Sequence, residues 1–140
     1  MQKITATIMA IGALIVVIAV GITFFLAPVS GSPLPLKTVN LTESANGTTI
    51  RLHVGDEIHI VLDENPTTGY QWDSPVPQAF TVIEDRFNPP EGSPMMGQGG
   101  IHTWVLKAVQ KGTYGIHWMY KRSWESSESD RPFIVQVIIE

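Results

Sequence analysis

Cysteine is absent from the 140 residues. That excludes a disulfide scaffold, a thiolate nucleophile and a cysteine-ligated metal or cluster. Charge is scarce, at 16% of residues, and is missing altogether between Ile4 and Leu36. No amphipathic helical periodicity occurs after Pro28, so neither a helical bundle nor an α/β layer is expected. Of the nine basic residues one is Lys3, which leaves eight against thirteen acidic residues in 37–140, a net charge of −5. An acidic domain without a basic run does not bind nucleic acid, where phosphate neutralisation dominates affinity. About a hundred residues cannot hold a Rossmann enzyme or a TIM barrel, but they bury enough core to fold without staples.

What is present first is a long apolar run. Ile4 to Ala27 is broken only by Thr5, Thr7, Gly12, Gly21 and Thr23. A helix needs ~20 apolar residues to cross a bilayer. With Lys3 on one flank, the positive-inside rule sends the C-terminal domain outside. A cleaved secretory signal is the competing reading, with small residues at Ala27, Ser30 and Gly31, although its apolar core is usually ~7–15 residues. Residues 1–27 are therefore read as a transmembrane signal-anchor helix or a signal peptide. Residues 28–36 form a Pro/Gly/Ser spacer and 37–140 a single domain, membrane-anchored and extracytoplasmic or else secreted. It is expected to be monomeric.

The domain reads as all-β. Short alternating runs are separated by turn residues at regular spacing. Ile50, Leu52 and Val54 share one face, as do Ile58, Ile60 and Leu62. Further strands are expected over 70–73, 80–87, 101–109, 114–120 and 133–139, with Gln110-Lys111-Gly112 as a hairpin turn. About seven short strands in this length indicate an immunoglobulin-like β-sandwich. Trp72, Trp104 and Trp118 are assigned to its core.

No catalytic constellation emerges. His53, His59, His102 and His117 show no metal-ligand spacing, and His53 and His59 fall outward by parity. Asp56, Glu57, Asp63 and Glu64 flank turns and are expected to solvate them. Ser, His and Asp occur without a nucleophile elbow. The glycines at 97, 99 and 100 precede no helix that would present a phosphate site. The chain is read as a non-enzyme with no metal and no cofactor. Asn40-Leu41-Thr42 and Asn46-Gly47-Thr48 match the glycosylation sequon, which marks those positions as exposed.

The unusual content lies in three loops. In Asn65-Pro66-Thr67-Thr68-Gly69-Tyr70, proline fixes its own φ and extends Asn65. The two threonines are stiff at χ1 and Gly69 allows a positive φ into the next strand. A rigid projecting loop results. A second loop, Asn88 to Gly100, contains Gly97-Gln98-Gly99-Gly100. Met95 and Met96 before it either touch a partner or pin the loop to the sandwich. A third, Lys121 to Arg131, holds Arg122-Ser123-Trp124, with an aromatic among polar neighbours.

The first loop, followed by Trp72, resembles the N-P-T-T-G-[FY]-x-W signature of chagasin-type inhibitors of papain-family cysteine proteases. Gly97 to Gly100 is similar to that family's G-x-G-G motif. Arg122-Ser123-Trp124 is similar to its R-P-W motif, with Ser123 where the family has proline. Arg131-Pro132-Phe133 matches R-P-W more literally, but Phe133 opens an alternating apolar run and reads as a strand residue. The resemblance covers about 36–140. It implies a sandwich whose three loops form a wedge at one end, with Asn65 to Tyr70 entering the protease cleft and the other two loops clamping its sides. The partner would be a papain-like cysteine protease, bound reversibly and without a covalent bond. A rival class is an immunoglobulin-like adhesion or carbohydrate-binding module, which would bind through a sheet face or its aromatics without needing Thr67 and Thr68. The two readings part on geometry: the wedge needs Thr67, Gly99 and Trp124 at one end.

Overall fold

The computed structural model describes residues 31, 35–92 and 96–140. The apolar run 1–27, most of the spacer and Met95 lie outside the described residues, and with them the helix expected there. Eight strands are described. β1 is Thr38–Leu41, β2 Thr49–Leu52, β3 Glu57–Glu64, β4 Tyr70–Asp73, β5 Phe80–Asn88, β6 Gly100–Ala108, β7 Gly112–Arg122 and β8 Arg131–Ile139. They form two four-stranded sheets, ordered β1-β3-β6-β5 and β2-β8-β7-β4. The all-β sandwich expected from the alternation is what forms.

The inner faces are built by the period-2 stripes. Ile58, Ile60 and Leu62 of β3 and Trp104, Leu106 and Ala108 of β6 are buried from one sheet. Ile116 and Trp118 of β7 and Phe133, Val135, Val137 and Ile139 of β8 meet them from the other. Trp104 and Trp118 pack with ring centroids 4.6 Å apart. Burial of a large apolar side chain contributes roughly 1.5–3 kcal/mol, so these stripes dominate the stability. Trp72 is only half-buried, tilted against Tyr120 and edge-on to Phe133.

Two features depart from the expectation. β1 was not foreseen; it pairs parallel with β3, as β2 does with β8, and parallel partners distant in sequence leave no local turn signal. Val54 does not extend the inward face of β2. That strand stops at Leu52 and Val54 is 45% exposed, in the turn to β3.

Asp56 was expected to solvate that turn, and instead it is buried. Its Oδ2 accepts the His53 N–H at 2.8 Å and its Oδ1 the Lys37 N–H at 2.9 Å, tying the entry to β1 to the start of β3. Burial pushes its pKa up, but the two backbone donors and the nearby His53 and Lys37 charges more than offset this. The net effect is a pKa below the ordinary carboxylate value. A lowered folded-state pKa contributes stability that is present above the unfolded value of about 3.9 and is lost as pH falls through the folded value. Asp56→Ala should therefore cost about 1–2 kcal/mol at pH 7, the loss of two charge-assisted hydrogen bonds to partly buried backbone donors. Urea unfolding from pH 7 to pH 2 should show this gap narrowing below about pH 4; a gap that stays constant would mean the carboxylate charge is not its source.

Candidate functional site

The strand register decides where the three loops fall. Glu64 at the end of β3 pairs with Gly100 at the start of β6, and Asn88 at the end of β5 with Ile101. In the other sheet Tyr70 pairs with Arg122 and Tyr120 with Arg131. The segments 65–69, 89–99 and 123–130 thus leave from the same end of the sandwich.

Within the first loop, Pro66–Thr68 forms one 3-10 turn, entered from Asn65 and left through Gly69 at φ 82°. Proline at the first position and left-handed glycine at the exit are the residues this geometry asks for. Asn65 organises the turn. Its carbonyl accepts from the Thr68 backbone N–H at 3.1 Å and from Thr68 Oγ1 at 2.7 Å. Its side-chain Oδ1 accepts from Thr67 Oγ1 at 2.5 Å. Thr67 and Thr68 are exposed at the tip.

The loops are fastened to one another. Asn65 Nδ2 donates to the Gly97 carbonyl at 2.9 Å, joining the first loop to the second. Arg122 Nε donates to the Thr68 carbonyl at 3.0 Å, joining the first to the third. The Arg122 guanidinium also lies 4.7 Å over the Tyr70 ring and pairs with Glu125. That hydrogen bond to Glu125 raises its pKa further, so it is a permanent cation. Arg122 and Glu125 bridge as the ends of a tight turn with Ser123 and Trp124 between them. Trp124 is 68% exposed, yet its ring covers Gly69, where an added Cβ would overlap Cη2 and Cζ2. Of the two candidate triplets for the third motif, Arg131-Pro132-Phe133 puts Phe133 in the core and Arg131 over the Tyr120 ring, whereas Arg122-Ser123-Trp124 lies against the first loop.

In the second loop Gly97 has φ 86° with open space beyond it, and Gln98 is exposed. Gly99 and Gly100 serve the fold itself. A Cβ on Gly99 would stand 3.0 Å from the Glu64 carbonyl, and one on Gly100 would overlap the Asn88 carbonyl and the Phe87 ring. Met96 is fully exposed. It edges a recess of about 320 Å³ between the first two loops, lined by Pro66, Phe87, Pro89 and Pro90.

Glu64 and His102 were missed. Glu64, expected to solvate a turn, is 5% exposed and pairs with His102 Nδ1. His102 Nε2 sits 2.7 Å from Asp85 Oδ1, and the imidazole stacks flat on Trp104 at 3.9 Å. Parity carried the signal: Glu64 continues the inward stripe 58-60-62, and His102 the stripe 104-106-108.

Residues 51–137 match the pattern of the chagasin family of peptidase inhibitors, family I42. Chagasin of Trypanosoma cruzi is 33% identical over 97 residues, 64% of this chain and 86% of its own. Amoebiasin-1 of Entamoeba histolytica is 34% identical over 106 residues, 73% of this chain and all of its own. The crystal structure of a cysteine protease inhibitor from Entamoeba histolytica superposes with a TM-score of 0.66 at 31% identity, covering 75% of this chain and 97% of that one.

Gly69→Ala tests the packing of the loops on one another. The left-handed φ alone costs an L-residue about 1–2 kcal/mol, and the methyl group must also expel the Trp124 ring. The denaturant midpoint should fall by at least that equivalent, and with 5-fluorotryptophan incorporated the Trp124 fluorine resonance should shift while those of the buried Trp104 and Trp118 stay in place.

Proposed function

We propose, from the premise that this chain belongs to the chagasin family of peptidase inhibitors, that it is a reversible, non-covalent inhibitor of papain-family cysteine proteases whose three loops form a wedge occluding the cleft. The observation that carries the reading is the mutual fastening of the loops at one end of the sandwich, through Asn65 to Gly97, Arg122 to Thr68 and Trp124 on Gly69. A wedge held together before contact loses little freedom on binding, and ordering costs are what usually separate buried area from affinity.

The roles follow from exposure. Thr67 and Thr68 at the tip of the first loop enter the cleft and cover the catalytic residues. Gly97 and Gln98, exposed at the second loop, approach one side. Trp124 supplies a rigid aromatic anchor on the other. Such a complex should bury roughly 1,600 Å², the usual size for protease–inhibitor pairs. One copy acts per protease. The domain works outside the membrane, tethered by the apolar segment 4–27 or released by its cleavage; the uncharged run beside Lys3 supports this placement. The adhesion or carbohydrate reading gains no comparable support, since Trp104 and Trp118 are enclosed.

Titration of a papain-like protease with the full chain should give saturable inhibition that dilution reverses. Thr67→Ala with Thr68→Ala removes both hydroxyl bonds to Asn65 and should weaken inhibition tenfold or more, about 1.4 kcal/mol. Wild-type protein that leaves several such proteases fully active at micromolar concentration would end the reading. Trp124→Ala should raise the inhibition constant about 30-fold, the loss of a 2 kcal/mol hot spot. Ser123 occupies the first central position of its turn, where proline presets φ. Ser123→Pro should therefore tighten inhibition by about two- to fivefold, from the 0.4–1 kcal/mol that such a restraint contributes; equal or weaker inhibition would show that the turn is already ordered.

A further inference from the structure

The Glu64 cluster is absorbed neither by the core nor by the exposed wedge. Glu64 is the last residue of β3, and Trp72 lies in β4, in the opposite sheet. The first loop is the chain between them. Glu64 Oε1 accepts the Trp72 backbone N–H at 3.0 Å, so one carboxylate closes the neck of the loop from sheet to sheet. Two bonds flank this closure: Trp72 Nε1 donates to the Asp63 carbonyl at 3.0 Å, and the Asn65 N–H donates to Tyr120 Oη at 2.9 Å. Its other oxygen, Oε2, faces His102 Nδ1, while Asp85 holds Nε2 and Trp104 holds the ring flat.

A carboxylate at 5% exposure is an expensive way to gain stability, since desolvation offsets most of the pairing. The adjoining stripe position is Leu62, so an apolar side chain would suit the site as packing. What leucine could not do is accept the Trp72 N–H and hold β3 and β4 at a fixed separation under the loop.

We propose that Glu64, oriented by His102 and Asp85, is a positioning residue for the inhibitory loop 65–69, closing its neck so that Thr67 and Thr68 are presented in one geometry. Its inhibitory arm rests on the protease reading above; its structural arm does not.

The test compares Glu64→Leu with Glu64→Gln in the full chain. Glutamine keeps an oxygen for the Trp72 N–H, and its amide can donate to Nδ1 of a neutral His102 whose Nε2–H donates to Asp85. Leucine fills the volume and removes the clasp. Amide hydrogen exchange is read at Asn65, Thr68 and Gly69, with strands β2 and β8, which carry no member of the cluster, as the reference. Exchange at those three amides should rise at least tenfold in Glu64→Leu, with the reference strands unchanged, and should stay within threefold of wild type in Glu64→Gln. The inhibition constant for a papain-like protease should follow the same order. Equal behaviour of the two variants, or Glu64→Leu exchange that rises only in step with the reference strands, would overturn the proposal. If the wild type does not inhibit, the protease reading falls, and exchange alone decides the positioning role. If Glu64→Leu does not fold, His102→Phe keeps the stack on Trp104 but leaves Oε2 unpaired. It should accelerate the same amides, and unaltered exchange there refutes the idea.

Discussion

Trp104 and Trp118 meet across the interior, one from each sheet, and the rest of the molecule is arranged around that contact. Sheets stack about 10 Å apart only if the inward side chains fill the gap. Because side chains alternate with period 2, fixing one inward residue per strand fixes all the others on it. Trp104 sets the parity of β6, and through pairing with Ile60 that of β3. Trp118 does the same for β7 and, through Phe133, for β8. Once these registers are set, Glu64, Asn88, Gly100, Arg122 and Arg131 all fall at strand ends on one side of the molecule. The co-location of the loops is thus a consequence of the core.

The same parity explains what the sequence made legible. The stripes of β3, β6, β7 and β8 were readable because apolar residues mark every second position. The apolar stripes stop at Leu62 and at Trp104 because the next inward residues are Glu64 and His102. Alternation says which way a side chain points, and polarity was taken to say otherwise. Each of these two residues satisfies the other, which removes the objection to burying either one. Asp56 misled in the same way, since its partners are backbone N–H groups that no side-chain pattern reveals. β1 was invisible for another reason: four residues are too few to establish a period, and its partner is reached only after the chain has crossed to the other sheet and back.

The loops show a sharper division. Their local conformations were legible, because Pro66 and Gly69 each restrict or release one dihedral angle. Their contacts with one another were not. Nothing in the order of residues says that Asn65 reaches Gly97, or that Trp124 lies on Gly69, 55 positions away in the chain. Those contacts turn three separately stiff loops into one body. Arg122 is central to this, with its guanidinium shared among the Thr68 carbonyl, the Tyr70 ring and Glu125. A lysine offers no planar fork for three directions at once.

It follows that the three motifs do not carry a single kind of requirement. Gly69 and Gly100 are needed because the protein's own atoms occupy the space a Cβ would take, while a Cβ on Gly99 would crowd the Glu64 carbonyl. Asn65 and Arg122 spend their hydrogen bonds within their own loops and on a neighbouring one. What remains turned outward is a smaller set: Thr67, Thr68, Gly97, Gln98, Ser123 and Trp124. The whole motif therefore builds the wedge, and this outward subset, whose Thr67, Thr68, Gly97 and Trp124 also fasten the loops, can in addition touch a partner. A change in the first group should alter loop geometry whichever protease is offered. A change in the second should alter the inhibition of individual proteases unequally, since each presents its own surface to those six residues. Selectivity among proteases can then shift through the outward set while the inward set, with Glu64 beneath it, keeps the wedge in shape.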